Sequence, residues 1–226
     1  MLFYGRRRGD EIGNHARLKI ACRKAWRFES SPRHMLNISD QKETAYVVGV
    51  ALGDGNLSNP NGRAVRLRIT CDSKYPYLIS KIEKSIKKIA PLNKVSRINR
   101  ADMAVDISCY SNDWERVLGW KAKGGSKMNQ KVSVPSWIFK NKDYIKACLR
   151  GLFETDGSVY KDRKYLTVNF VTEIPTLAQS VKEMITLIGH TASVQKLTLP
   201  GGKSKFTFRI HRKAFNFINQ LNIEKR

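Results

Sequence analysis

Two short segments carry the residues whose types and spacing could do chemistry. They are Val47-Val-Gly49-Val-Ala-Leu-Gly53-Asp54-Gly55 and Leu149-Arg-Gly151-Leu-Phe-Glu154-Thr155-Asp156-Gly157. Asp54 and Asp156 stand 102 residues apart, and the same spacing carries Gly49 onto Gly151. Without a Cβ, Gly49 and Gly151 let two helices approach closely if they face one another. Asp54 and Asp156 would then meet at two helix C-termini, where the macrodipole is negative and carbonyls are free. Two carboxylates in that setting repel unless a cation joins them. Mg²⁺, a hard ion that takes oxygen ligands and keeps several waters, suits the place, and Ca²⁺ could occupy it without supporting catalysis.

The elements that must position these segments repeat in the same order. Asp40 with Glu43 resembles a capping box before the apolar run from Thr44, which reads as a buried helix stopped by Gly53-Asp54-Gly55. An alternating strand follows over Val65–Thr70, then a helix from Tyr77 to Ala90 with Leu78, Ile79, Ile82, Ile86 and Ile89 on one face. Strands near Lys94–Ile98 and Met103–Ser108 and a helix near Asn112–Leu118 complete the first copy. After a polar joint and a helix start at Val134-Pro-Ser-Trp137, Asp143 is placed to cap a helix over Tyr144–Thr155. The second copy continues with a strand Tyr165–Thr172, a helix Thr176–Gly189, strands near Val194–Leu199 and Phe206–His211, and a helix Ala214–Leu221. Ile79, Ile82 and Ile86 fall on Val181, Met184 and Ile188 at the 102-residue offset, while the first alternating strands match at 101. The organisation expected is a basic extension over 1–38, one repeat with its linker over 39–130, and a second over 131–226.

The paired motifs and the order of elements resemble the LAGLIDADG homing endonuclease family in its single-chain form, which carries two motifs. The resemblance covers about residues 39–226. It implies an α+β fold of two pseudo-symmetric αββαββα repeats, a saddle of antiparallel sheets with the motif helices packed at the seam. It implies a monomer with an internal pseudo-dyad that cuts both strands of a long asymmetric DNA target, leaving short 3′ overhangs. The roles it carries over are metal-binding catalytic acids at Asp54 and Asp156, with Gly53 and Thr155 beside them as further metal contacts, and a basic residue near each scissile phosphate. Lys127, with Lys131 behind it, fills that last role in the first half and Lys225 in the second. Asp72 and Glu173, at the ends of equivalent strands, are candidates to position water. Two departures stand out: the family's first acidic position is Leu52 in one copy and Glu154 in the other, and Gly53 and Thr155 differ before the acids.

Composition agrees with a polyanionic partner. The 226 residues hold 42 Lys+Arg against 19 Asp+Glu, a net charge of +23, and 41% hydrophobic residues are enough for a core. Arg66, Arg68 and Thr70 alternate with apolar residues, as do Tyr165, Thr167 and Asn169, and Lys205, Thr207, Arg209 and His211. An alternating strand turns its polar side outward, and these side chains suit base edges and phosphates of double-stranded DNA. Lys81, Lys84, Lys87 and Lys88 lie on a helix and suit phosphate or solvent. Host intron RNA, bound by a maturase on the same scaffold, and a regulator that binds DNA without cutting it are the alternatives. The N-terminus lacks the apolar core of a secretory signal and no apolar run is long enough to cross a membrane, so an intracellular setting is expected. Cys22, Cys71, Cys109 and Cys148 are widely spaced and read as small core residues.

Overall fold

The computed structural model describes residues 35–198 and 201–224. The basic extension up to residue 34 and Lys225 lie outside the described residues. Leu36, at the end of that expected extension, is buried, and its N–H donates to Asp113 at 2.9 Å.

Helix α1 spans Gln41–Asp54 and starts where the sequence indicates, with the Asp40 carboxylate accepting the Glu43 N–H at 3.0 Å. Every residue from Thr44 to Leu52 is buried, because α1 packs against a sheet, a neighbouring helix and the second repeat at once. Strand β1 (Gly55–Ser58) follows without a loop, then β2 (Arg66–Asp72), α2 (Pro76–Ile89), β3 (Val95–Asn99), β4 (Ala104–Tyr110) and α3 (Trp114–Leu118). A 3₁₀ turn over Ser136–Lys140 leads into α4 (Lys142–Thr155). The second copy runs β5 (Gly157–Asp162), β6 (Tyr165–Thr172), α5 (Pro175–Leu187), β7 (Ser193–Thr198), β8 (Ser204–Ile210) and α6 (Ala214–Leu221).

The sheets are antiparallel and equivalent, ordered β1-β2-β4-β3 and β5-β6-β8-β7. The architecture is the expected pair of pseudo-symmetric α+β repeats. Leu67, Ile69 and Cys71 of β2, with Val105, Ile107 and Cys109 of β4, bury one face of the first sheet. Val168, Phe170, Phe208 and Ile210 do so in the second, and Phe153 of α4 closes on Phe170 and Phe217 with ring centroids 5.4 and 5.1 Å apart. Cys71, Cys109 and Cys148 are buried free thiols, as core residues should be.

One local expectation is corrected. Helix α4 is capped by Asn141, whose side-chain oxygen accepts the Asp143 N–H at 2.8 Å, because Asn141 holds the extended backbone of a cap while Asp143 is already in the first turn. Gly55 follows α1 directly as its C-terminal cap. Its φ of −82° and ψ of 146° are extended, and what demands glycine is space: a Cβ there would fall 2.9 Å from the Ala51 carbonyl carbon. Gly157 meets Phe153 in the same way, 3.0 Å from its carbonyl carbon. No helix among the described residues is long and apolar enough to cross a membrane.

Candidate active site at the helix seam

Helices α1 and α4 run side by side in the same direction, and backbone meets backbone between them. A Cβ on Gly151 would lie 2.7 Å from the Val50 nitrogen and against the Tyr46 carbonyl oxygen; one on Gly49 would strike the Cys148 carbonyl. Tyr46 and Cys148 are themselves 102 residues apart, so the contact obeys the pseudo-dyad. One turn further on, a Cβ on Gly53 would meet the Thr155 side chain and lie 3.2 Å from the Asp156 carboxylate. The two motif ends therefore converge, with Asp54 and Asp156 both exposed there.

This corner carries two carboxylates and two negative helix ends, and neither helix has a basic residue in its last turn. For α1 the cation comes from the linker. Lys127 donates from Nζ to the carbonyls of Ala51 at 2.8 Å, Leu52 at 2.8 Å and Gly53 at 2.7 Å, using all three N–H donors of an ammonium. Its Nζ also sits 5.6 Å above the Trp120 ring. Burial pushes the Lys127 ammonium down to about 8, against the pull of the Asp156 and Asp54 carboxylates, which favour its charge. Gln130 pins the linker, accepting the Lys121 N–H at 2.8 Å and donating to the carbonyls of Lys121 and Gly125, each at 3.0 Å. On α4, Thr155 instead turns its hydroxyl back to the Gly151 and Leu152 carbonyls, at 3.0 and 3.1 Å.

Glu154 points away from this corner. It is fully buried and accepts hydrogen bonds from Tyr46 Oη at 2.8 Å, Lys81 Nζ at 2.6 Å, Arg150 Nε at 3.0 Å and the Glu224 N–H at 3.1 Å. Lys81 is thus drawn inward to a partner of the other repeat, which corrects its expected place facing phosphate or solvent. Asp72 closes a local turn, accepting the Lys74 N–H at 3.0 Å and pairing with its ammonium at 2.6 Å. Glu173, at the equivalent end of β6, is exposed, as is Lys131.

The sheet faces match the alternation with one exception. Arg66, Arg68 and Thr70 are half-buried between buried Leu67, Ile69 and Cys71; Asn169, Lys205 and Thr207 are half-buried, and Tyr165, Arg209 and His211 exposed. Thr167 was expected to be exposed and is fully buried. Tyr160 stands opposite it on β5, and His211 Nδ1 lies 3.1 Å from its hydroxyl, so cross-strand neighbours cover it. Asp106 is a polar residue of the same face that the reading of β4 passed over, although it alternates with Val105, Ile107 and Cys109.

Residues 143–220 match the LAGLIDADG-like domain family. The chain is 16% identical to I-DmoI in its crystal structure with DNA and Mn, at a TM-score of 0.59 over 80% of this chain and 96% of that one. It is 14% identical to full-length DUF199/WhiA from Thermatoga maritima, at a TM-score of 0.57 over 83% of this chain and 57% of that one. Among curated sequences it is 28% identical over 174 residues to a DNA polymerase of Thermococcus hydrothermalis, covering 73% of this chain. A second, from Thermococcus sp. (strain GE8), is 26% identical over 178 residues and 75% of this chain. The chain spans only 10% of the length of each of these polymerases. Residues 143–220 thus carry a LAGLIDADG-like domain, and the first repeat is built on the same plan, with the motif glycines of the two repeats in backbone contact.

Proposed function

We propose that the chain is a site-specific double-strand DNA endonuclease whose divalent metal site is formed by Asp54 and Asp156. The observation that carries this reading is the convergence of the motif ends, which puts the Asp156 carboxylate against Gly53, one residue from Asp54. Among the described residues no three His, Cys, Asp or Glu side chains gather as a metal cage. Two carboxylates beside helix-end carbonyls fit Mg²⁺, which binds through one or two carboxylates and fills its sphere with water and substrate phosphate. Asp54 and Asp156 would hold the ion, with the Gly53 and Thr155 carbonyls next in reach. Bound there, it would supply an activated water and charge stabilisation for phosphodiester hydrolysis.

The remaining work falls to this chain's own groups. Lys127 offsets the negative end of α1 and holds the Gly53 carbonyl in place, so it acts by position and charge rather than by touching a phosphate. Strands β1 and β5 leave the site at the residues immediately after the two acids, so the polar sheet faces flank it and suit a duplex laid along both. The neighbour I-DmoI, seen with DNA and Mn, supports this arrangement. One acid serves each strand, which yields a double-strand break with short 3′ overhangs.

Incubating the protein with a randomised duplex library and Mg²⁺, then sequencing the ends produced, tests this directly. A single long asymmetric site with staggered ends is expected. Specific duplex binding without cleavage would favour the DNA-binding regulator instead.

A further inference from the structure

The two sheets share one register but not one set of side chains. At a shift of 101 residues, Arg68 opposite Ser108 corresponds to Asn169 opposite Arg209, and Thr70 opposite Asp106 corresponds to Val171 opposite Thr207. In the first sheet Asp106 accepts the Thr70 hydroxyl at 2.7 Å and lies 4.0 Å from the Arg68 guanidinium and 3.9 Å from that of Arg100. Arg68 Nε is buried with no hydrogen-bond partner among the described residues, and so is Asn169 Oδ1 at the equivalent place.

A carboxylate on a basic face repels phosphate, so the Arg68–Asp106 rung is unsuited to the DNA backbone. It is suited to a base pair, because arginine pairs with guanine O6 and N7 and a carboxylate accepts from cytosine N4. The matching rung of the second sheet has no acid. It offers Asn169, whose amide matches adenine N6 and N7, beside the methyl groups of Val171 and Thr207, which match the thymine methyl. Arg209 is exposed and has only uncharged Asn169 and Ser193 across from it, which leaves it for a phosphate.

We propose that the two half-sites differ in a defined way at positions related by the pseudo-dyad: Arg68 with Asp106 reads a G·C pair, and Asn169 with Val171 and Thr207 reads an A·T pair. Asp106 is then a specificity-determining residue, aiming Arg68 at the base edge. The inference rests on the DNA reading above and adds to it which base pair each sheet reads at one pair of related positions.

The test is selection of bound duplexes from a randomised library by the full chain and its variants, read as base preference per position. The wild type is expected to enrich G·C at one position and A·T at its mate across the site centre. Asp106→Asn should weaken the G·C preference about tenfold and leave the A·T position alone. Asn169→Ala should do the reverse, and it carries the test if Asp106→Asn fails to fold. The triple variant Arg68→Asn/Thr70→Val/Asp106→Thr should move the first position toward A·T. The same base pair at both positions, or variants whose effects spread evenly over the site, would overturn this inference alone. Enrichment of no sequence by the wild type would overturn the DNA reading and this inference together.

Discussion

The same position of the two motif helices holds Leu52 in one repeat and Glu154 in the other, and both side chains are buried. Leu52 needs only apolar neighbours. Glu154 needs Tyr46 and Lys81 from the first repeat and Arg150 from its own, so the second helix is tied to the first by charge as well as by glycine contact. A burial this complete is tolerable because the carboxylate is compensated on every side. The asymmetry extends to the helix ends: α1 is neutralised by Lys127, whereas the end of α4 is served by the Thr155 hydroxyl. A pseudo-symmetric backbone thus supports two chemically distinct halves.

Breaking the part the halves share should cost most. Gly151→Val places a branched side chain into the α1 backbone, and a stability loss of about 4 kcal/mol or more is expected by urea unfolding. Breaking the part they do not share comes next. Glu154→Leu copies the other repeat yet strands Lys81 and leaves Arg150 only the Glu224 carboxylate, 3.3 Å away, and should cost about 3 kcal/mol; adding Lys81→Met should recover part of it. Lys127→Met removes the donor to the Leu52 and Gly53 carbonyls and leaves Ala51 only the Gly55 N–H, and should lower stability by about 2 kcal/mol, with a larger fall in cleavage than in DNA binding.

The smallest effect separates the sheets by pH. Burial pushes the Cys71 and Cys109 thiols, both in the first sheet, up to about 12 from an ordinary 9.0, with the Asp54 and Asp106 carboxylates adding to the shift at Cys71. Thr172 and Ile210 stand at the equivalent places of the second sheet. A raised thiol pKa gives stability that is full below pH 9 and is lost as pH climbs toward 12. The loss should be well under about 1 kcal/mol per thiol at pH 9 and grow as the pH rises. Hydrogen exchange should show the first sheet loosening before the second.

Much of this was legible in the sequence because it depends on local periodicity. The alternation around Leu67 and Ile69 marks β2, and the 102-residue offset pairs Gly49 with Gly151 at the seam. Short β1 and β5 were implied by the order of elements but not located, since four to six residues give little pattern. The direction of Glu154 was not legible, because its partners Tyr46 and Lys81 come from helices more than 70 residues away. Lys127 was found by its place in the linker, but its grip on three carbonyls depends on the turn that Gln130 pins. Alternation assigned Thr167 to the polar face correctly and could not show that Tyr160 and His211 cover it.

The central claim is that Asp54 and Asp156 form one shared site. It is tested most directly with a supercoiled plasmid carrying the selected target, comparing wild type with Asp54→Asn and Asp156→Asn in Mg²⁺. The wild type should give linear DNA, and each variant should bind the duplex as well as the wild type while giving no linear product. Full linearisation by either variant would contradict the claim.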